Sequence, residues 1–287
     1  MDELRRRYLA QQVELGGSEL ILGAAAAHEF VAAPAESTAN QRDLSPGPAG
    51  RDAAAGEREP SEDRPSDQGE VAPMPRWLKG APPIPGPGLA VRSPPLVLLG
   101  NELDALPTID AVAERIRTTH CCELCPARTN AVPGEGDPHA RLVLVGEGPG
   151  AMEDATGRPF VGQAGKLLEG ILEAIEIRRD SVYITNIVKC RPPQNRKPLP
   201  DEIAACIPYL HRQLELIRPK VILALGGTAG EALLGVRKGL GELRGKVHTY
   251  NGTPLIVTYH PAALLRNPNW KKPTWDDVRI ARQLLDR

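Results

Sequence analysis

Five cysteines occur in the chain, and four of them stand at spacings that suit a metal centre. Cys122 and Cys125 form a C-x2-C pair, Cys190 and Cys206 follow with fifteen residues between them, and Cys121 is left over. Four thiolates can hold zinc or an iron–sulfur cluster, and spacing alone does not choose between the two. In a chain with no sign of export, such a set argues for metal rather than for disulfides. A second group of residues able to do chemistry is spread over three short segments. Gly146-Glu147-Gly148-Pro149-Gly150 places three glycines in five positions, so the backbone can turn tightly and offer N–H groups to an oxygen. Asn186 precedes Lys189-Cys190-Arg191-Pro192-Pro193 and Asn195-Arg196-Lys197, and His260 opens His260-Pro261-Ala262-Ala263-Leu264-Leu265-Arg266-Asn267-Pro268.

Elements that bring three such segments together can be read from the apolar pattern. Leu142 to Val145, Val182 to Ile187, Val221 to Leu225 and Leu255 to Tyr259 are apolar or β-branched runs of strand length, of the kind buried on both faces. Between them lie amphipathic stretches. Gly165 to Ile177 carries Leu167, Leu168, Ile171, Leu172 and Ile175 at helical spacing, and Pro200 to Ile217 carries Ile203, Ile207, Leu210 and Leu214. Pro200 and Asp201 make a helix entry, and Asp276 to Leu285 reads as a closing helix. Strand alternating with helix predicts an α/β fold with a parallel sheet flanked by helices. Ligands in that architecture bind beyond the carboxyl ends of the strands, where the three polar segments stand.

Composition limits what lies around this domain. Of 287 residues, 25% are charged, 41% hydrophobic and 3% aromatic, and no stretch approaches the ~18 to 20 apolar residues of a membrane span. The longest apolar run near the start, Leu20 to Ala27, is boxed in by Glu19, His28 and Glu29. A membrane protein is excluded, and a cytoplasmic location is expected. The net charge of −1 hides an asymmetry: the first hundred residues hold 10 Lys/Arg and 14 Asp/Glu, leaving 25 and 22 for the rest. That excess is too small to argue nucleic-acid binding from charge alone. Thirteen of the 29 prolines fall between Pro34 and Pro95 with almost no large apolar side chains before Trp77, so residues 33–100 are expected to form a disordered linker. Residues 1–32 contain a short amphipathic helix, with Leu4, Tyr8 and Val13 near helical spacing, either simply solvated or a docking peptide for a protein partner. Residues 101–287 then form the folded domain.

Taken together, the segments resemble the iron–sulfur uracil-DNA glycosylases of family 4 from about residue 110 to 287. The resemblance rests on Gly146-Glu147-Gly148-Pro149-Gly150, Gly157-Arg158-Pro159-Phe160-Val161-Gly162, Tyr183-Ile184-Thr185-Asn186-Ile187-Val188-Lys189-Cys190-Arg191-Pro192-Pro193 and Thr258-Tyr259-His260-Pro261-Ala262, in that order. It implies a three-layer sandwich with a four-stranded parallel sheet, and a [4Fe–4S] cluster held by Cys122, Cys125, Cys190 and Cys206, with no role for Cys121. It implies a monomeric enzyme that hydrolyses the bond between uracil and deoxyribose in DNA and leaves an abasic site.

The roles that follow from the resemblance match what uracil excision requires. The base must leave the stack and enter a pocket. Phe160, the only Phe after residue 30, looks like the stacking platform. Asn186 can accept from uracil N3–H and donate to O4. Backbone N–H groups of the Glu147 to Gly148 turn, and His260, are the donors to O2, where negative charge develops as the bond breaks. Classical members place an Asp where Gly148 stands, so the side chain left to align water is Glu147. They also place a Tyr where Gly150 stands, which makes Glu153 the candidate for occupying the space a thymine methyl would need; Glu153 and Asp154 can alternatively just favour a helix N-terminus. Leu264, Leu265 and Arg266 stand where a wedge would replace the extruded base. Arg191, Arg196, Lys197, Lys271 and Lys272 would meet phosphates. Two other readings compete with this one: a cluster- or zinc-stabilised DNA-binding domain without activity, and a relative that captures uracil covalently. The second is disfavoured because Gly150 to Val161 contains no histidine.

Overall fold

The computed structural model describes residues 74–93 and 103–287. The expected N-terminal helix and most of the expected linker lie outside the described residues. In chain order the elements are β1 (Pro87–Val91), α1 (Ile109–Thr118), β2 (Glu135–Gly136), β3 (Leu142–Gly146), α2 (Ala151–Thr156), α3 (Gln163–Ala174), β4 (Tyr183–Asn186) and α4 (Pro200–Ile217). They continue with β5 (Val221–Leu225), α5 (Gly227–Leu234), α6 (Leu240–Leu243), β6 (Val247–Tyr250), β7 (Thr253–Thr258), α7 (Pro261–Arg266) and α8 (Lys271–Asp286). Among the described residues no helix is long and apolar enough to cross a membrane.

The four runs read as strands are β3, β4, β5 and β7, and they form the parallel centre of the sheet in the order β7-β5-β3-β4. The expectation of four strands is corrected to seven. β2 pairs antiparallel with β4 on one side, and β6 pairs antiparallel with β7 on the other, with β1 added parallel to β6. β1 and β2 are the two edge strands, and β6 beside β1 is buried only at alternate residues, so long apolar runs are unnecessary and their sequences lack the signal that marks the central strands.

Successive strand residues point to opposite faces and so build two cores. Val143, Val145, Ile222, Ala224, Leu255 and Val257 face α4, α5 and α6, where Leu210, Leu214, Leu233 and Leu243 close over them. Leu142, Leu144, Val221, Leu223 and Ile256 face α3 and α8, against Leu168, Leu172, Val278 and Leu285. The helix–sheet–helix layering follows from that alternation. Helix α4 begins where Pro200 predicts, and the Glu202 carboxylate accepts from Leu199 N at 2.7 Å to close its first turn. Helix α8 starts earlier than the expected Asp276.

One stretch of the proposed linker is built into the domain. Trp77 is only 3% exposed in the core beside α8, and the Arg282 guanidinium lies 5.2 Å from its ring centroid. Gln283 Nε2 donates to Pro82 O at 2.9 Å and Arg279 Nη1 to Lys79 O at 3.2 Å. Proline removes donors but leaves carbonyls, and here side chains of α8 donate to those carbonyls. A composition poor in apolar residues therefore still docks, through one Trp and a series of acceptors. Trp77, Lys79 and Pro82 are thus packed or hydrogen-bonded to the domain whose start was expected near residue 101.

Candidate active site and cysteine centre

The parallel register brings the three polar segments to one rim. Gly146 at the end of β3 is the register partner of Asn186 at the end of β4. The end of β7 leads directly into His260, which caps α7. Gly146 is required by close approach: a Cβ there would lie 2.3 Å from Asn186 Oδ1 and 2.7 Å from the edge of the Phe160 ring. Asn186 is 1% exposed, and its Oδ1 has no hydrogen-bond partner. An amide carbonyl left orphaned in a dry site costs on the order of 1–3 kcal/mol unless a ligand meets it.

Phe160 is buried, and its ring stacks on that of His260 with centroids 5.4 Å apart and planes 30° apart. Its backbone sits at φ 51°, a left-handed conformation unusual for an aromatic residue. Arg179, which the sequence reading did not single out, holds it there: Nη1 donates to Phe160 O at 3.0 Å and Nη2 to Pro159 O at 2.6 Å. Glu135 and Glu169 flank the same guanidinium, both at 3.4 Å. Gly165 passes so close to Phe160 O that a Cβ would fall 1.8 Å from it.

His260 Nδ1 accepts from Ala262 N at 3.2 Å. That assignment leaves the proton on Nε2, so the ring is a neutral donor through Nε2–H. Burial, joined by the Arg266 charge and opposed by Glu153, pushes the His260 pKa down to about 4, so the ring is uncharged at neutral pH. The strand end carrying it is clamped from behind. Asp277 accepts from Thr258 Oγ1 at 2.7 Å and pairs with Arg244, whose guanidinium lies 4.5 Å from the Tyr259 ring centroid, while Trp270 stacks on Tyr259 at 4.8 Å. Neither Arg244 nor Asp277 has a sequence spacing that would have marked it.

Glu147 and Gly148 are half-buried at the rim, with Glu147 O accepting from Val188 N. The Glu153 carboxylate is engaged by main chain: Oε2 accepts from Gly150 N at 3.1 Å, and Oε1 from Val161 N and Gly162 N, each at 2.9 Å. It joins the glycine loop to the segment after Phe160, which is a scaffolding position. Asp154 is buried and does similar work, accepting from Thr129 N at 2.9 Å.

Two of the expected DNA contacts are engaged within the protein. Leu264 is 1% exposed and belongs to the interior, because it lies on the face of α7 turned toward the protein; Leu265, 49% exposed, and the exposed Arg266 are the ones presented outward. Arg196 is taken up by Glu202, donating from Nη1 at 2.9 Å and from Nη2 at 2.6 Å, so its fork closes the loop before α4 rather than pointing to a ligand. Lys197 pairs with Glu231 at 2.9 Å. Arg191 is half-buried, its Nε donating to Asn195 Oδ1.

All five cysteines converge, each a free thiol. Sγ of Cys125 lies 3.8 Å from that of Cys122, 4.0 Å from that of Cys121 and 3.7 Å from that of Cys190. Cys206, from α4, lines one small cavity together with Cys121 and Cys190. Arg128 Nη1 donates to Cys190 Sγ at 3.1 Å, and burial pushes the Cys190 thiol up to about 12. Buried below is Lys189, whose Nζ donates to Thr185 Oγ1, Asn186 O and Gln213 Oε1 at 2.7 to 2.8 Å. Five thiols in apolar surroundings, unlinked and with cations beside them, fit a soft metal or an iron–sulfur group and no harder ion.

An α/β sheet whose strand ends gather Asn186, Phe160 and His260 beside a thiol cluster defines a class, and comparison identifies it: the chain belongs to the Uracil DNA glycosylase superfamily, whose family model matches residues 133–281. Within that class it is similar to the Type-4 uracil-DNA glycosylase of Thermotoga maritima, 49% identical over 183 residues that cover 62% of this chain and 95% of the relative. The Type-4 enzyme of Saccharolobus solfataricus is 45% identical, with coverage of 62% and 86%. A Type-5 uracil-DNA glycosylase of Thermus thermophilus is more distant, at 35% identity and coverage of 50% and 84%. The resemblance read from the motifs is thereby borne out.

Proposed function

We propose that the chain is a DNA repair hydrolase that cleaves the N-glycosidic bond of deoxyuridine in DNA, releasing uracil and leaving an abasic site. The observation that carries this reading is the orphaned Asn186 Oδ1, buried at the end of β4 against Gly146 and the edge of Phe160. A uracil laid against Phe160 offers N3–H to that oxygen and O4 to the Asn186 amide. O2 then turns toward His260 Nε2–H and the N–H groups of the Glu147 to Gly148 turn. As the glycosidic bond lengthens, charge builds on the base, and donors already aimed at O2 stabilise it without reorganising. A neutral His260 donates a hydrogen bond without surrendering its proton to solvent at pH 7. Glu147 aligns the water that attacks the sugar carbon.

Leu265 fills the space left by the flipped nucleotide, and Arg266 and Arg191 meet phosphates on either side. Cys122, Cys125, Cys190 and Cys206 would hold a [4Fe–4S] cluster, which when bound supplies four covalent ties between the segment after α1, the loop after β4 and helix α4. The protein acts as a cytoplasmic monomer on uracil-containing DNA, and a protein partner would engage it through the N-terminal residues. The test is abasic-site formation on an oligonucleotide containing one uracil. Binding without release would favour the non-catalytic alternative.

A further inference from the structure

The cysteine centre holds one thiol more than a [4Fe–4S] cluster needs, and the extra one is almost as near to Cys125 as its neighbour is. Cys121 Sγ is 4.0 Å from Cys125 Sγ, against 3.8 Å for Cys122, and the three sulfurs lie within 4.8 Å of one another. A small cavity beside the set is lined by Cys121, Cys190 and Cys206 together with Arg128, Lys189 and Tyr209. Both Cys121 and Cys122 are half-buried, whereas Cys125, Cys190 and Cys206 are fully buried, so the first two form the more exposed side of the set.

Resting on the cluster reading above, we propose that Cys121 and Cys122 are interchangeable ligands, so that five thiols serve four coordination positions. The geometry supports exchange because the two sulfurs approach the same partners from adjacent residues. Replacing one by the other needs a rotation of two neighbouring side chains and no movement of α1 or α4. The exchange balances simply: the incoming sulfur gives up its proton, the departing sulfur takes one, and iron keeps four thiolates throughout. A neighbouring thiolate at high local concentration recaptures an iron site before solvent or a chelator does.

The experiment uses the full chain purified with its native colour. Cys121→Ser and Cys122→Ser should each retain wild-type iron content and brown absorption, while the double variant Cys121→Ser/Cys122→Ser and the control Cys125→Ser lose both. If either single variant alone is bleached, that residue is the sole ligand and the proposal fails; if both are bleached it also fails. Because a variant can be lost through misfolding, limited alkylation of the wild-type holoprotein with iodoacetamide, followed by peptide mass spectrometry, supplies a second readout. Label divided between Cys121 and Cys122 supports exchange, and label on one of them alone overturns it. A wild-type protein that is colourless and holds zinc would instead sink the cluster assignment while leaving uracil release to be judged by its own assay.

Discussion

Asn186 can be tested by reversing the polarity of half its side chain. Asn186→Asp removes the donor to uracil O4 and leaves acceptors, and one mismatched polar contact in a dry pocket costs about 1–3 kcal/mol. Uracil release should fall by roughly ten- to a hundred-fold, and weak cytosine release should appear in single strands or mispairs, where extrusion is cheaper. Matched oligonucleotides bearing uracil, cytosine or thymine read this directly, and unchanged uracil activity would remove Asn186 from the pocket. His260→Ala should slow release by about a hundred- to a thousand-fold without changing which base is chosen, because O2 is common to both pyrimidines. The pH profile adds an independent check. With the His260 pKa held at about 4 rather than 6.5, protonation removes no activity until well below neutrality, so the acid limb of kcat/KM should lie near pH 4. A limb near 6.5 would mean that the ring titrates as if exposed.

At the scale of elements, Glu153 distinguishes scaffolding from steric selection. Its carboxylate holds three main-chain N–H groups between the glycine loop and the Phe160 segment, so Glu153→Ala should lower the melting temperature and uracil release together. Thymine release appearing in an otherwise stable variant would restore the methyl-excluding role. Helix α7 gives a paired test. Leu265→Ala should weaken release from duplex DNA more than from single strands and leave stability intact, whereas Leu264→Ala should cost about 2–5 kcal/mol of stability, measured by denaturant titration. Both leucines follow His260 equally well in the sequence, and only the rotation of α7 separates them. The same limit explains what else was missed. Asn186 and His260 could be singled out because each follows an apolar run, and Cys122 and Cys125 because they keep a short spacing. Arg179, Arg244 and Asp277 were not, because each reaches its partner through the fold and nothing nearby in the chain marks it. β3, β5 and β7 announced themselves as buried runs, while β2, two residues long, has no pattern to read.

For the whole molecule, the docking of Trp77, Lys79 and Pro82 against α8 yields a pair of truncations. Removing residues 1–73 should leave uracil release on a short oligonucleotide and melting temperature nearly unchanged. Removing residues 1–100 takes away Trp77, the carbonyls that bind α8 and the whole of β1, and should cost roughly 3–5 kcal/mol, on the order of 10 °C in melting temperature. Equal melting temperatures for the two forms would show that the docked segment contributes nothing to the fold.

The position of β1 has a consequence for behaviour in solution at high concentration. A sheet edge is a template on which another chain can add a strand, and natural sheets blunt their edges with short strands and proline. At one margin here β2 offers two residues, one of them Gly136 at φ 129°, and at the other β1 begins with Pro87 after Pro85. Stripping β1 uncovers the pairing groups of β6 along Val247–Tyr250, which pair with it in the intact chain. The shorter form should therefore turn turbid on concentration at temperatures where it is still folded, while the form beginning near residue 74 stays clear, because the proline-rich arm that looked dispensable also shields the molecule from its own copies.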